Sequence, residues 1–170
     1  MLFRFVRPLR LLARAFTAAG SPRQLALGLA LGMLIGLVPK GNLTAGILMV
    51  VLLGTQVNLG VGTLSAVLFT WVGGLADPLT HRIGEALLTH RSLEPTWACL
   101  HDLPMVPWTG LNNTVVLGSL LLGLWLFYPA YRLSEFVFEH YQPWAIEKLG
   151  NYRIVQLLWG AEMAAGWRAR

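Results

Sequence analysis

A long, nearly uncharged apolar stretch dominates this chain of 170 residues. It runs from Gln24 to Asp77, and the sole charged side chain between Arg23 and Asp77 is Lys40. A soluble domain of this size does not carry so much uninterrupted apolar sequence, whereas helices embedded in lipid require it. The stretch therefore predicts a membrane protein. No second region of different composition indicates a separate soluble domain.

Basic side chains cluster ahead of this stretch. Five arginines precede it with no acidic residue among them: Arg4, Arg7, Arg10, Arg14 and Arg23. Such an excess of positive charge is typical of the cytoplasmic side of a membrane protein. The placement of these arginines explains the net charge of +5 without nucleic-acid binding. A single cysteine, Cys99, excludes an internal disulfide and a cysteine-rich metal site.

The pattern divides the chain into three parts. We expect residues 1–19 to form a basic amphipathic helix on the membrane surface. We expect residues 20–150 to form the membrane domain and residues 151–170 to form an amphipathic cytoplasmic tail. Within the membrane domain an interfacial loop separates the last apolar segment from the first three. The segments cover 24–38, 43–54, 57–76 and 111–131, and the loop covers 77–110.

The first two apolar segments are too short to cross a membrane as helices. Leu25–Val38 would be about 21 Å long, against a hydrocarbon core of about 30 Å, and Leu43–Leu53 is shorter still. Between them Pro39-Lys40-Gly41-Asn42 must break the helix. This arrangement favours a re-entrant helical hairpin with its tip inside the bilayer. The alternative is two thin spans, with Arg23 and Lys40 reaching the interfaces.

Two later segments are long enough to span a bilayer. Leu59–Ala76 is the first, and Asn58 precedes it in the position of a helix cap. Asp77 followed by Pro78 has the chemistry of an N-cap and a first helical residue, so we expect a new helix to start there. The second span covers 111–131.

These elements predict the fold class and the topology. The fold is all-α, a polytopic helical membrane protein: a small bundle with a re-entrant helical hairpin and amphipathic N- and C-terminal helices. Both interpretations of the hairpin place both termini in the cytoplasm and residues 77–110 on the far side. They differ in the position of Lys40 alone.

Small residues recur at helical spacing in the first apolar segment. Gly28, Gly32 and Gly36 lie four residues apart, which lets another helix approach closely in lipid. We expect these glycines to pack within the bundle. A homo-oligomer contact is the alternative use of the same face.

Ionisable residues near the end of the apolar stretch are the candidates for chemistry. Asp77, His81 and Glu85 share a helix face at spacings of four, and a metal site or an acid–base pair could be drawn from them. Their spacing matches no standard ligand pattern. We therefore expect no metal ion, no cofactor and no catalytic residue, so that the protein is not an enzyme.

Polar residues at the breaks and helix starts are the candidates for binding a ligand or a partner. Lys40 is the most informative of them, because an ionisable residue within apolar sequence indicates function unless it merely reaches an interface. The full set is Pro39, Lys40, Gly41, Asn42, Asn58, Asp77, His81, Asn112, Asn113 and Thr114.

Two short stretches that contain several of these residues resemble each other. Val38–Thr44 is similar to Val106–Thr114, and each opens an apolar segment, although we expect them to lie in different parts of the fold. Several transporters build a site at the bilayer midplane from such a pair of broken helices. Shared helix-capping chemistry explains the likeness equally well.

The order of these features resembles the domain of unknown function 2062 family of uncharacterised bacterial inner-membrane proteins. The resemblance covers residues 20–150. It rests on the Ala/Gly-rich helix followed by Pro39-Lys40-Gly41, on Asn58, and on the turn Asp77-Pro78-Leu79-Thr80, where Asp77 replaces the family's asparagine. The stretch 112–119 is similar to a subfamily hallmark.

The resemblance implies a multi-pass protein of the bacterial inner membrane and a setting in envelope lipid or glycolipid handling. The resemblance associates some relatives with fused glycosyltransferase domains and others with large envelope proteins of the lipid-bridge type. We expect a non-enzymatic subunit that contacts membrane lipids and a larger envelope protein, and no nucleic acid. The alternative is a small lipid flippase or transporter whose polar path is formed by Lys40, Asn42, Asn58, Asp77, Asn112 and Asn113.

Overall fold

The computed structural model describes residues 20–150, with side chains up to Trp144. The amphipathic helices expected over 1–19 and 151–170 lie outside these residues. Within the described range all regular structure is helical, in agreement with the all-α prediction. The α-helices are α1 (Pro22–Leu37), α2 (Leu43–Gly54), α3 (Leu59–Leu88), α4 (Glu94–His101), α5 (Val106–Thr109) and α6 (Thr114–Gly150), and a 3₁₀ turn covers Arg91–Leu93.

Local sequence chemistry sets the start of α1. The hydroxyl of Ser21 accepts a hydrogen bond from the backbone N–H of Gln24 at 3.3 Å, and the Gln24 side chain accepts one from the Ser21 N–H at 3.1 Å. This reciprocal pair satisfies two donors that a helix start otherwise leaves free. Pro22 then occupies the first helical position, where its missing N–H costs nothing.

Helices α1 and α3 run in the same direction and touch along their length. A Cβ atom added at Gly28 would lie 2.8 Å from the carbonyl oxygen of Asn58, at the start of α3. A Cβ atom at Gly36 would lie 2.5 Å from the Cβ of Phe69, farther along α3. At Gly32 an added Cβ would overlap the carbonyl oxygen of Gly62. All three glycines therefore serve a contact between two helices of this chain.

Helix α2 turns back from the end of α1, and α6 runs antiparallel to α1. Leu52, near the end of α2, packs with Ile35 and Ala66 in one buried cluster. Phe138, in the second half of α6, packs with Leu25 near the start of α1. The first turn of α6 packs instead beside the end of α1. The core thus lies between α1, α3 and α6, with α2 on the outside.

The prediction that a helix ends at Asp77 and a new one begins at Pro78 is wrong. Helix α3 continues through both residues, so residues 77–88 belong to α3 and not to the interfacial loop. Beyond the proline, α3 packs on α6 with almost no gap: Thr80 is 1% exposed. A Cβ atom at Gly84 would overlap the carbonyl oxygen of Thr114. This packing offsets the backbone hydrogen bond that a proline inside a helix removes.

The helix that contains the last apolar segment continues well beyond residue 131. Helix α6 continues to Gly150 and contains both Pro129 and Pro143. Several side chains beyond residue 131 are buried, among them Glu135 at 4% and Phe138 at 3% exposed. Because they pack back onto α1, tertiary contacts hold the helix past its apolar part.

Within residues 20–150, two helices are long and apolar enough to cross a membrane. They are α3 over its whole length and α6 over Thr114–Trp144. Their outer faces expose large apolar side chains: Leu75 is 85%, Trp71 79% and Trp125 73% exposed. Water-soluble proteins seldom expose contiguous apolar surface of this kind, which lipid covers without penalty. Helices α1 and α2 are apolar but shorter.

Candidate functional site

The lysine at the break between α1 and α2 closes the end of α1. Its ammonium group donates hydrogen bonds to the carbonyl oxygens of Ile35 at 2.6 Å, Gly36 at 3.2 Å and Val38 at 2.7 Å. Carbonyls in the last turn of a helix lack partners within the helix, and a cation there also meets the negative end of the helix dipole. The Lys40 side chain therefore binds backbone carbonyl groups at the end of α1.

The remaining residues of the break form a turn that starts α2. Gly41 has a φ of 94°, a left-handed conformation that glycine adopts without steric cost. The side-chain oxygen of Asn42 accepts a hydrogen bond from the Ala45 N–H at 2.8 Å. Its amide group donates to the carbonyl oxygen of Pro39, also at 2.8 Å. The Asn42 side chain thus both caps α2 and fixes the turn.

We expect Asn42→Ala to lower the free energy of unfolding by about 1 kcal/mol, because the variant loses the cap of α2. Asn112→Ala is the matched control, since Asn112 is exposed at the surface. Thermal unfolding of the purified variants in mild detergent measures the difference. Equal midpoints for the two variants would contradict the capping role.

The break lies directly against the segment that precedes α6. The hydroxyl of Thr44 donates to the carbonyl oxygen of Thr109 at 2.9 Å. A Cβ atom at Gly110 would lie 3.2 Å from the Cβ of Asn42. The expectation that Val38–Thr44 and Val106–Thr114 lie apart is therefore wrong. They meet because the end of α1 and the start of the antiparallel α6 lie at the same end of the bundle.

The polar residues ahead of α6 act mainly on that helix. The side-chain oxygen of Asn113 accepts hydrogen bonds from the N–H groups of Val115 at 2.9 Å and Val116 at 3.3 Å. The hydroxyl of Thr114 lies 2.6 Å from Nδ1 of His81 on α3. The start of α6 is thus capped by one residue and joined to α3 by the next.

Asn58 lies at the other end of the bundle. Its side-chain oxygen accepts from the Val61 N–H at 3.0 Å and so caps α3. Its own N–H donates to the carbonyl oxygen of Gln24 at 3.2 Å, beside the start of α1. Asn58 and Lys40 are therefore separated by the length of α1. The predicted site residues do not converge on one place.

Asp77, His81 and Glu85 share one continuous helix, and all three are exposed. Nε2 of His81 lies 3.8 Å from a carboxylate oxygen of Glu85, and Nδ1 faces Thr114. Across the described residues no group of three or more His, Cys, Asp or Glu side chains could hold a metal ion. His81 joins α3 to α6 through its contact with Thr114.

A polar cluster at the start of α1 was not predicted from the sequence. Glu135 is buried, and one of its carboxylate oxygens accepts hydrogen bonds from Nε of Arg23 at 3.2 Å and from the hydroxyl of Tyr131 at 2.9 Å. The other oxygen accepts from Nη1 of Arg132 at 2.7 Å. The spacing of Tyr131, Arg132 and Glu135 is a local signal that could have revealed part of it. The contact with Arg23 has no such signal.

Comparison with known proteins places the chain in a family. A family model described as "Uncharacterized protein conserved in bacteria (DUF2062)" matches residues 6–146. The chain belongs to this family. A protein of Treponema pallidum (strain Nichols), named "Uncharacterized protein", is 28% identical over 158 residues, which are 93% of this chain and 98% of that protein. No solved structure matches the chain.

The family assignment confirms the resemblance to DUF2062 seen in the sequence. The structure shows where the sequence features that carry this resemblance lie in the fold. The stretch 112–119 forms the close contact between α6 and α3, where a Cβ atom at Gly118 would overlap the carbonyl oxygen of Thr80. Ser119 is 1% exposed and donates to the carbonyl oxygen of Val116 at 3.0 Å. Asp77, in the turn on which part of the resemblance rests, lies exposed on α3.

Proposed function

We propose that this DUF2062 protein is a non-enzymatic subunit of the bacterial inner membrane that holds a larger envelope protein in lipid or glycolipid handling. One observation carries the proposal: the polar residues at the breaks complete helix ends. Lys40 binds carbonyls of α1, and Asn42, Asn58 and Asn113 cap α2, α3 and α6. Side chains used in this way build a rigid bundle and are not free for a reaction.

The segment between α3 and α6 supplies a surface for that partner. Three large apolar side chains on it are exposed, Leu103 at 48%, Met105 at 69% and Trp108 at 76%. Met105 has a φ of 76°, which a residue other than glycine rarely adopts. The segment is tied to α3, because Nε1 of Trp97 donates to the carbonyl oxygen of Leu87 at 3.0 Å. Large apolar side chains on such a support favour contact outside the chain.

The topology that goes with this proposal has both termini in the cytoplasm and a re-entrant hairpin of α1 and α2. At 16 and 12 residues these helices are about 24 Å and 18 Å long, shorter than a hydrocarbon core of about 30 Å. A Cβ atom at Gly73 would lie 3.2 Å from the Cα of Leu37, so the end of α1 lies beside Gly73 of α3. Gly73 precedes Asp77, the first charged residue of α3, by one helical turn.

Thiol labelling tests the hairpin. In a Cys99→Ser background, we expect Lys40→Cys to resist a membrane-impermeant thiol reagent added from the periplasmic side, because the tip lies within the bilayer. Arg91→Cys, in the exposed segment beyond α3, is the control and is expected to react. Labelling of Lys40→Cys as fast as the control would indicate two thin spans.

The non-enzymatic subunit proposal is tested with the purified protein alone. Reconstituted into liposomes, the folded protein is expected to move fluorescent lipid between leaflets no faster than protein-free liposomes do. Its thermal unfolding midpoint in the same preparation verifies that it is folded. Rapid lipid movement by the protein alone would overturn the proposal.

A lipid flippase or transporter is the second candidate, favoured by the contact between the two similar broken segments. Thr44 and Thr109 join them, with Lys40 close by. In this case the Lys40 ammonium would leave its carbonyls to meet an anionic headgroup, so Lys40→Ala would abolish activity in cells. Arg82→Ala, which removes an exposed charge on α3, is the control. Under the subunit proposal, Lys40→Ala retains cellular function.

A further inference from the structure

We infer that Arg23 and Arg132 form a binding site for a phosphate group at the end of the bundle where α1 begins. A lipid headgroup and free phosphate share this chemistry. The inference does not depend on the proposed envelope partner. It rests on the juxtaposition of two arginines from different helices around one buried carboxylate.

Glu135 brings the two guanidinium groups together. Its side chain is 6% exposed, and its two oxygens bind Nε of Arg23 on α1 and Nη1 of Arg132 on α6. The hydroxyl of Tyr131 donates to the oxygen that Arg23 also contacts. A carboxylate held by three donors from two helices fixes the positions of both arginines.

The cluster carries excess positive charge at its surface. Two guanidinium groups face one carboxylate, and the side chains of Arg23 and Arg132 are 77% and 62% exposed. Each guanidinium group has five N–H donors. Within the part of the chain that the structure describes, each binds Glu135 through one of them. The others remain for an anion, and phosphate oxygens match the planar guanidinium geometry.

The surroundings of the cluster fit the edge of a membrane. Tyr128, Tyr141 and Trp144 flank it along α6 and are all more than half exposed. Tyrosine and tryptophan are enriched where lipid headgroups meet the hydrocarbon core. In the proposed topology this end faces the cytoplasm, whose leaflet carries anionic phospholipids. A lipid phosphate would therefore lie at the depth of the two guanidinium groups.

The experiment compares ligand binding by the full-length protein and by two double variants of equal charge loss. Arg23→Gln/Arg132→Gln removes the cluster, whereas Arg82→Gln/Arg91→Gln removes two exposed arginines at the other end of the bundle. In the first arm, native mass spectrometry measures retention of phosphatidylglycerol against phosphatidylcholine. In the second arm, the unfolding midpoint in detergent is followed as inorganic phosphate is added.

We expect the cluster variant to lose phosphatidylglycerol affinity by at least about tenfold, since each charge-assisted hydrogen bond contributes on that scale. The control variant is expected to keep its affinity. If phosphate raises the midpoint through the two arginines while the lipids bind equally, the site takes free phosphate. Equal losses in both variants, or no dependence on Arg23 and Arg132 in either arm, would overturn the inference.

A third variant separates ligand binding from folding. Removing both arginines leaves the Glu135 carboxylate buried without a cation, which itself costs stability. Arg23→Gln/Arg132→Gln/Glu135→Gln replaces the whole cluster by neutral groups that still form hydrogen bonds. We expect this variant to unfold at a midpoint close to that of the unmodified protein and to have lost the same phosphate affinity. A folded triple variant that binds as the unmodified protein does would contradict the site.

Discussion

Replacing Gly32 with alanine is expected to lower the free energy of unfolding by about 3 kcal/mol or more, because the added methyl group has no space. Its carbon would overlap the carbonyl oxygen of Gly62 and lie 2.7 Å from the Cβ of Ser65. Backbone atoms do not rotate away as a flexible side chain does, so α1 and α3 must separate. Thermal unfolding in mild detergent, followed by size-exclusion chromatography, measures the loss.

The matched control for this prediction is Gly46→Ala on α2. A Cβ atom at Gly46 meets nothing within 4 Å. Because alanine loses less backbone entropy than glycine in a helix, this variant is expected to be neutral or more stable by about 0.5–1 kcal/mol. If Gly32→Ala unfolded at the same midpoint as Gly46→Ala, the close contact between α1 and α3 would be wrong.

Replacing Gly84 with alanine is expected to cost about as much, roughly 3 kcal/mol, at the other main helix contact. The added carbon would overlap the carbonyl oxygen of Thr114 and lie 2.6 Å from the carbonyl carbon of the same residue. Separating α3 from α6 there would also break the contact of Thr114 with His81. The loss is again read from the unfolding midpoint in detergent.

Gly74→Ala, on the same helix α3, is the control for Gly84→Ala. Gly74 is exposed, and a Cβ atom added there would meet nothing within 4 Å. We expect its free energy of unfolding to lie within about 0.5 kcal/mol of that of the unmodified protein, as for surface substitutions in general. A Gly74→Ala variant that unfolds as early as Gly84→Ala would mean that α3 tolerates no substitution, whatever its contact with α6.

Local chemistry made part of this fold predictable. Ser21 and Pro22 at the start of α1, and Pro39-Lys40-Gly41-Asn42 at its end, act through neighbouring backbone groups, so their spacing in sequence is enough. The same local rule failed at Asp77-Pro78. There the packing of Thr80 and Gly84 on α6 keeps the helix continuous, and that contact lies more than 30 residues away in the chain.

The candidate site was predictable to a smaller extent. Asn42, Asn58 and Asn113 are polar residues beside apolar segments, and a capping residue has the same pattern in sequence as a ligand-binding one. The hydrogen bonds of the structure distinguish the two roles. The cluster around Glu135 includes Arg23, which lies 112 residues away in the chain. No local sequence pattern indicates a contact between residues so far apart.

The proposal that this protein holds a larger envelope partner is tested most directly by purification at native expression level in mild detergent. Mass spectrometry of the purified material is expected to show one envelope protein in constant stoichiometric ratio to this chain. The Gly74→Ala variant, which keeps the fold, is expected to retain it. Recovery of the folded protein alone, or with tightly held lipid only, would contradict the claim and favour the flippase.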